Sequence, residues 1–92
     1  VNQIERIVVV AKAMMLPSDF GQPVAKVVVN HCDLWFADCG RFRSRNHETV
    51  DAALDDLETL LRAKAELLAN KRSDVRAAQV RAALDATKAA GR

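Results

Sequence analysis

Arg41, Arg43 and Arg45 alternate with Phe42 and Ser44 in a segment that follows Gly40 and precedes a strongly patterned helix. In an extended strand successive side chains leave opposite faces, so this spacing predicts three guanidiniums on one face and Phe42 on the other. Such a comb suits phosphates or a partner's carboxylates, because each guanidinium offers planar, forked donors and stays ionised. The plainer role for the same residues is an edge strand charged against aggregation. Lys26, on an earlier strand, and Lys71, Arg72 and Arg76, around the last helix junction, complete the candidate partner-binding or nucleic-acid-binding set. Arg81 and Lys88 extend the second patch along the final helix. That helix lacks the Asn, Gln, Ser and Arg cluster of a duplex reader, with Gln79 the lone candidate, which argues against sequence-specific recognition of a double helix.

Other residues invite chemistry that their spacing opposes. His31, Cys32, Cys39 and His47 are the right types for a tetrahedral metal shell. The two cysteines, however, flank a strand whose ends are roughly 20 Å apart, too far for shared ligation or a disulfide. Asp51, Asp55, Asp56 and Glu58 read as a solvated helix start that complements the helix dipole. No nucleophile, base and oxyanion-binding group can be assembled, so no enzymatic activity, cofactor, metal or small-molecule substrate is expected. Trp35 and Phe36 are adjacent, so one must face the helices and the other the opposite side, where a ring beside arginines could stack on bases.

Composition bounds the rest. The chain has 92 residues, half of them apolar, which fits one ordered domain over 1–92 with a modest core. Net charge is +2, unevenly spread. Residues 1–47 hold six Lys or Arg against four Asp or Glu, residues 48–70 two against six, and residues 71–92 six against two. One acidic helix between two basic segments can present a basic surface despite the mild average. The C-x6-C spacing fits neither a disulfide scaffold nor a zinc site, which points to a reducing cytoplasm. The apolar stretch from Ile4 to Leu16 is too short, and too often interrupted by Glu5, Arg6 and Lys12, to span a bilayer, and it has no small-residue cleavage site.

The positioning elements follow from pattern. Asn2 and Glu5 have capping-box spacing, and Ile4, Ile7, Val8, Ala11 and Met14 or Met15 share a helical face, predicting a helix over 3–16 ended by Pro17. The competing reading is a strand through Ile7, Val8, Val9 and Val10, which are β-branched. A loop over 18–23 precedes strands at 24–29, 34–38 and 41–45, joined by a turn at Asn30 to Asp33 and a tight reversal at Cys39 and Gly40. Val50, Ala53, Leu54, Leu57, Leu60, Leu61, Ala65 and Leu68 trace the apolar stripe of a helix over 48–70. After a break at 70–73, Ser73 is the expected N-cap of a final helix over 74–90, closed by Gly91. The expected fold is α+β, a three-stranded antiparallel meander with helices packed on one face, in the order α-β-β-β-α-α.

The segments IERIVVVAKAMMLPSDFGQP (4–23) and VVVNHCDLWFADCGRFRSRNHETV (27–50) resemble the orphan α+β proteins of bacteriophages. Among these the chain looks most similar to the small anti-CRISPR proteins that act on type I surveillance complexes. That group shares no motif, so the resemblance transfers no residue roles. It implies a cytoplasmic, stoichiometric inhibitor that docks on Cas subunits of a host ribonucleoprotein, with contact to guide RNA in reach, and blocks hybridisation of target DNA. The alternative from the residues themselves is a small nucleic-acid-binding accessory or regulatory protein.

Overall fold

The computed structural model describes residues 2–15, 21, 23–71 and 74–90. Along the chain lie α1 (Gln3–Ala13), β1 (Ala25–Val29), β2 (Trp35–Cys39), β3 (Phe42–Arg43), α2 (Val50–Lys71) and α3 (Val75–Ala90). The three strands form one sheet in the order β1-β2-β3, with both neighbouring pairs antiparallel. This is the expected α+β meander in the expected order. Among the described residues no helix is long and apolar enough to cross a membrane.

Ile7, Val8, Val9 and Val10 are helical despite their β-branching. Their residue-level preference is outweighed by tertiary burial, since Ile7, Val10 and Ala11 lie on one face and are removed from solvent. Asn2 caps this helix, its side-chain oxygen accepting from the Glu5 N–H at 2.9 Å. The helix stops at Ala13, short of the expected residue 16. Its last turn tightens there, with the Met14 and Met15 N–H groups donating back to the carbonyls of Ala11 and Lys12. The expected continuation at Leu16, and the loop residues 17–20 and 22, lie outside the described residues.

The long helix α2 opens on Thr49, whose hydroxyl accepts from the Ala52 N–H at 3.1 Å. It continues to Lys71, through part of the expected break. Ala53, Leu54, Leu57, Leu61, Ala65 and Ala69 are its buried residues, while Leu60 and Leu68 are half-buried and Val50 is exposed. Asp74, in place of the expected Ser73, caps α3 by accepting from the Ala77 N–H at 3.0 Å. Ser73, Arg72 and Gly91 fall outside the described residues. The third helix packs on α1 and α2 through Ala77, Val80 and Leu84. Arg62 of α2 pins it further, donating to the Thr87 hydroxyl at 2.7 Å and the Leu84 carbonyl at 3.0 Å.

Alternation then sorts the sheet. Ala37 and Cys39 are fully buried, and Ala25, Val27, Trp35 and Phe42 pack against the same core. This inner face rests on the helices. By register, Lys26, Val28, Phe36, Asp38 and Arg43 share the outer face. Of the two adjacent aromatics, Trp35 is therefore the inner one and Phe36 the outer.

Leu57 is completely buried at the centre of this arrangement. Leu57→Ala is expected to destabilise the fold by about 2–5 kcal/mol, read from the midpoint of urea unfolding followed by circular dichroism.

Candidate binding face

The predicted comb requires a five-residue strand, and β3 has two residues, Phe42 and Arg43. Gly40, with φ of +62°, and Arg41 form the two-residue loop between β2 and β3, so Arg41 stands at the turn and outside the strand. A glycine in the first central position is what a type II′ hairpin turn requires. Beyond Arg43 the pairing slips. Asp38 pairs with Arg43, yet Trp35 pairs with His47 through reciprocal backbone bonds of 2.6 and 2.7 Å. Two residues of one arm thus oppose three of the other, which is the signature of a β-bulge.

Ser44 holds the bulge together. Its N–H donates to the Ala37 carbonyl at 2.8 Å, and its hydroxyl accepts from the Ala37 N–H at 2.8 Å. A side-chain oxygen thereby does the work of a displaced ladder carbonyl, and the same hydroxyl donates to the Arg45 carbonyl at 2.9 Å. The extra residue reverses the alternation, so that His47 joins Trp35 on the inner side. Asp56, in the second turn of α2, receives both ends of the bulge: its Oδ2 accepts from the Arg45 N–H at 2.9 Å and meets the His47 Nε2 at 2.9 Å. These bonds, with the Arg45 guanidinium nearby, hold the Asp56 carboxyl below its ordinary range, the His47 hydrogen bond contributing most.

The three arginines consequently have three different settings. Arg41 is exposed at the hairpin turn. Arg45 projects from the bulge with its side chain 91% exposed, its Nε 3.9 Å from Asp56. Arg43 alone occupies the sheet's outer face in a strand. Its guanidinium lies 4.7 Å from the centre of the Phe36 ring, within the range of a cation–π contact. The same group approaches one oxygen of Asp38 at 3.8 Å, while Lys26 approaches the other at 4.0 Å. Both distances are long for hydrogen bonds, so the carboxylate offsets charge without fixing either side chain. Asp38 is covered although it sits on the outer face, whereas Lys26 and Arg43 remain largely exposed.

Lys26 and Arg43 are thus brought together, around a carboxylate that the charge pattern alone did not reveal. A two-residue turn at 40–41 does imply the pairing of 38 with 43, and that register was the available signal. The second basic patch belongs elsewhere. Lys71 is exposed at the end of α2, and Arg76 is half-buried, donating to the Met14 carbonyl at the end of α1. Arg76 thus acts as a strut between helices, on the side of the sheet opposite the outer face. Arg72 lies outside the described residues.

The acidic residues early in α2 also do more than face solvent. Glu58 receives Arg6 at 2.8 Å and Gln3 at 3.2 Å, joining α1 to α2, and these partners, Arg6 foremost, lower the Glu58 pKa. Cys32 is exposed in the turn before β2 and Cys39 is buried at its far end, where burial pushes the thiol pKa up. Among the described residues no three His, Cys, Asp or Glu side chains gather as a metal site would require.

No protein-family model matches the chain, and no curated protein or solved structure matches it either. The geometry of the face therefore carries the functional argument.

Asp56 has a lowered folded-state pKa, so its contribution to stability is present above the unfolded value, near 4, and is lost as pH falls through the folded value. Asp56→Asn is expected to cost about 1 kcal/mol at pH 7. In urea titrations from pH 7 down to 2, the gap between wild type and variant should narrow on acidification. Glu58 supplies an acid-labile term common to both.

Proposed function

We propose that the chain is a non-enzymatic binding protein that docks on a host nucleoprotein complex and acts by occlusion. Its contact surface is the outer sheet face with the adjoining hairpin turn and bulge. The observation that carries this reading is a face, uncovered among the described residues, where Arg43 lies over Phe36 beside Lys26, flanked by the exposed Arg41 and Arg45. With Asp38 and Asp56 set against four cations, the surface is basic but mixed in sign. A run of bare phosphates favours an unbroken cationic track. Interleaved charge with an aromatic and an arginine at its centre is closer to the make-up of protein interfaces, where these types are enriched.

The resemblance to inhibitors of type I surveillance complexes gives this reading a definite partner to try. On that view the protein covers part of a Cas surface, and Arg41 and Arg45 lie where guide RNA or incoming DNA would pass. Arg43 over Phe36 also supports a second reading, because a ring backed by a guanidinium offers a stacking surface to a single-stranded base. Salt separates the two. Binding to free nucleic acid should weaken linearly in log salt, by roughly one unit of slope for each phosphate contacted.

Simultaneous replacement of Arg41, Arg43 and Arg45 by Ala tests the face, since all three side chains are exposed. The variant is expected to keep its circular dichroism spectrum and to lose at least tenfold in affinity for a purified type I surveillance complex, measured by interferometry. Target-DNA binding by that complex should be blocked by wild type and restored with the variant. Unchanged affinity would remove these arginines from the interface, and tight wild-type binding to bare oligonucleotides would favour the second reading.

A further inference from the structure

The two edges of the sheet are built differently. β3 is two residues long and runs into the bulge that Ser44 and Asp56 fasten, so it offers little ladder to a new strand. Short and bulged edges are the usual protection against unwanted pairing. β1 has no such protection. It is five residues long, Ala-Lys-Val-Val-Val, without proline, bulge or inward charge. Val28 and Val29 within it, and Val24 just before it, are exposed.

The hydrogen-bond phase of β1 follows from its continuation into the turn. The Asn30 N–H donates to the Leu34 carbonyl at 2.8 Å, so even-numbered residues of this arm bond toward β2. β2 agrees, because Trp35 and Ala37 direct their backbone bonds the other way, to His47 and Ser44. Ala25, Val27 and Val29 therefore turn their N–H and C=O groups to the open edge. Among the described residues these groups have no hydrogen-bonding partner. A strand added here would find a full set of donors and acceptors.

We infer that the occupant is a second copy of this chain, pairing β1 with β1 antiparallel about a two-fold axis through Val27. This register opposes Val27 to Val27 and Ala25 to Val29, and it is the one that uses every outward backbone group of the strand. It also places Lys26 directly opposite Val28 of the other copy. The two lysines are therefore diagonal to one another, and Asp38 stands beside each. Pairing β1 with the blunted β3 edge would propagate head to tail, whereas β1 with β1 closes after two chains. The product is a continuous six-stranded sheet. Its outer face carries two copies of the Arg43, Phe36 and Lys26 cluster, so the dimer is bivalent toward any partner of that face.

The register makes a test in which charge sign matters. Position 28 is exposed on the outer face, so substitutions there leave the core untouched. In non-hydrogen-bonded pairs the facing side chains are closest, and residues 26 and 28 form such pairs across the axis. Val28→Lys brings two lysines together at each pair, while Val28→Glu offers Lys26 a carboxylate. Sedimentation velocity under reducing conditions, over a rising concentration series, should show the wild-type mass climbing from one chain, 10.1 kDa, toward two. Val28→Lys should stay at one chain and Val28→Glu should dimerise at least as readily as wild type, with urea midpoints confirming that both are folded. A wild type that remains monomeric throughout, or a dimer equally strong in Val28→Lys, would overturn the proposal. In a Cys32→Ser background, a spin label at the exposed position 29 should show dipolar broadening of its continuous-wave spectrum in the dimer, and an unbroadened spectrum would also overturn it.

Discussion

The side of α2 that carries Ala53, Leu57, Leu61 and Ala65 is wholly removed from solvent, and both other helices and all three strands pack against this one helix. Two of the four residues are alanines, which let neighbouring backbones approach closely, and the two leucines fill the space between. A domain of this size buries only about 60% or a little more of its unfolded surface, so one well-filled helix face must serve several neighbours at once. Polar groups on the flanks of α2 then fix orientation. Glu58 takes Arg6 and Gln3 from α1, Arg62 takes Thr87 and the Leu84 carbonyl from α3, and Asp56 takes the bulge.

That division of labour explains how the outer face comes to be available. With every described helix drawn to the inner side of the sheet, the opposite side has, among the described residues, only its own side chains for cover. Arg43 bends over Phe36, and Lys26 and Arg43 screen Asp38. Exposed ion pairs at such distances contribute little to stability. The cluster therefore costs little to rearrange.

The order of elements, the α2 stripe and the antiparallel meander were legible because each rests on a local repeat: period 3.6 for the helices, period two for the strands. Strand and helix boundaries drifted by one to three residues where a cap decided the matter, as Asp74 did ahead of α3. The arginine comb was misjudged because alternation along a strand presumes an uninterrupted ladder. Whether residue 44 keeps step depends on a hydroxyl bonding Ala37 across the sheet and on Asp56 twelve positions further on. Neither contact leaves a trace in periodicity. Arg76 misled for a similar reason, since a cation near a helix start can be a strut to a distant carbonyl as readily as a solvent-facing charge.

The bulge bears on how this protein can vary. Three residues span from Arg43 to His47 where an unbroken ladder would need two. Deleting one would zip the arm back into step with the imidazole still opposite Trp35, and would redraw the main-chain path at 45 that Asp56 grips. Exchanging Arg45 or Asn46 for other residues would leave that geometry alone, because Asp56 grips the main chain at 45 and the ring at 47. The side chains at 45 and 46 are thus free to vary while the main-chain path between them is held, a separation of spelling from metre.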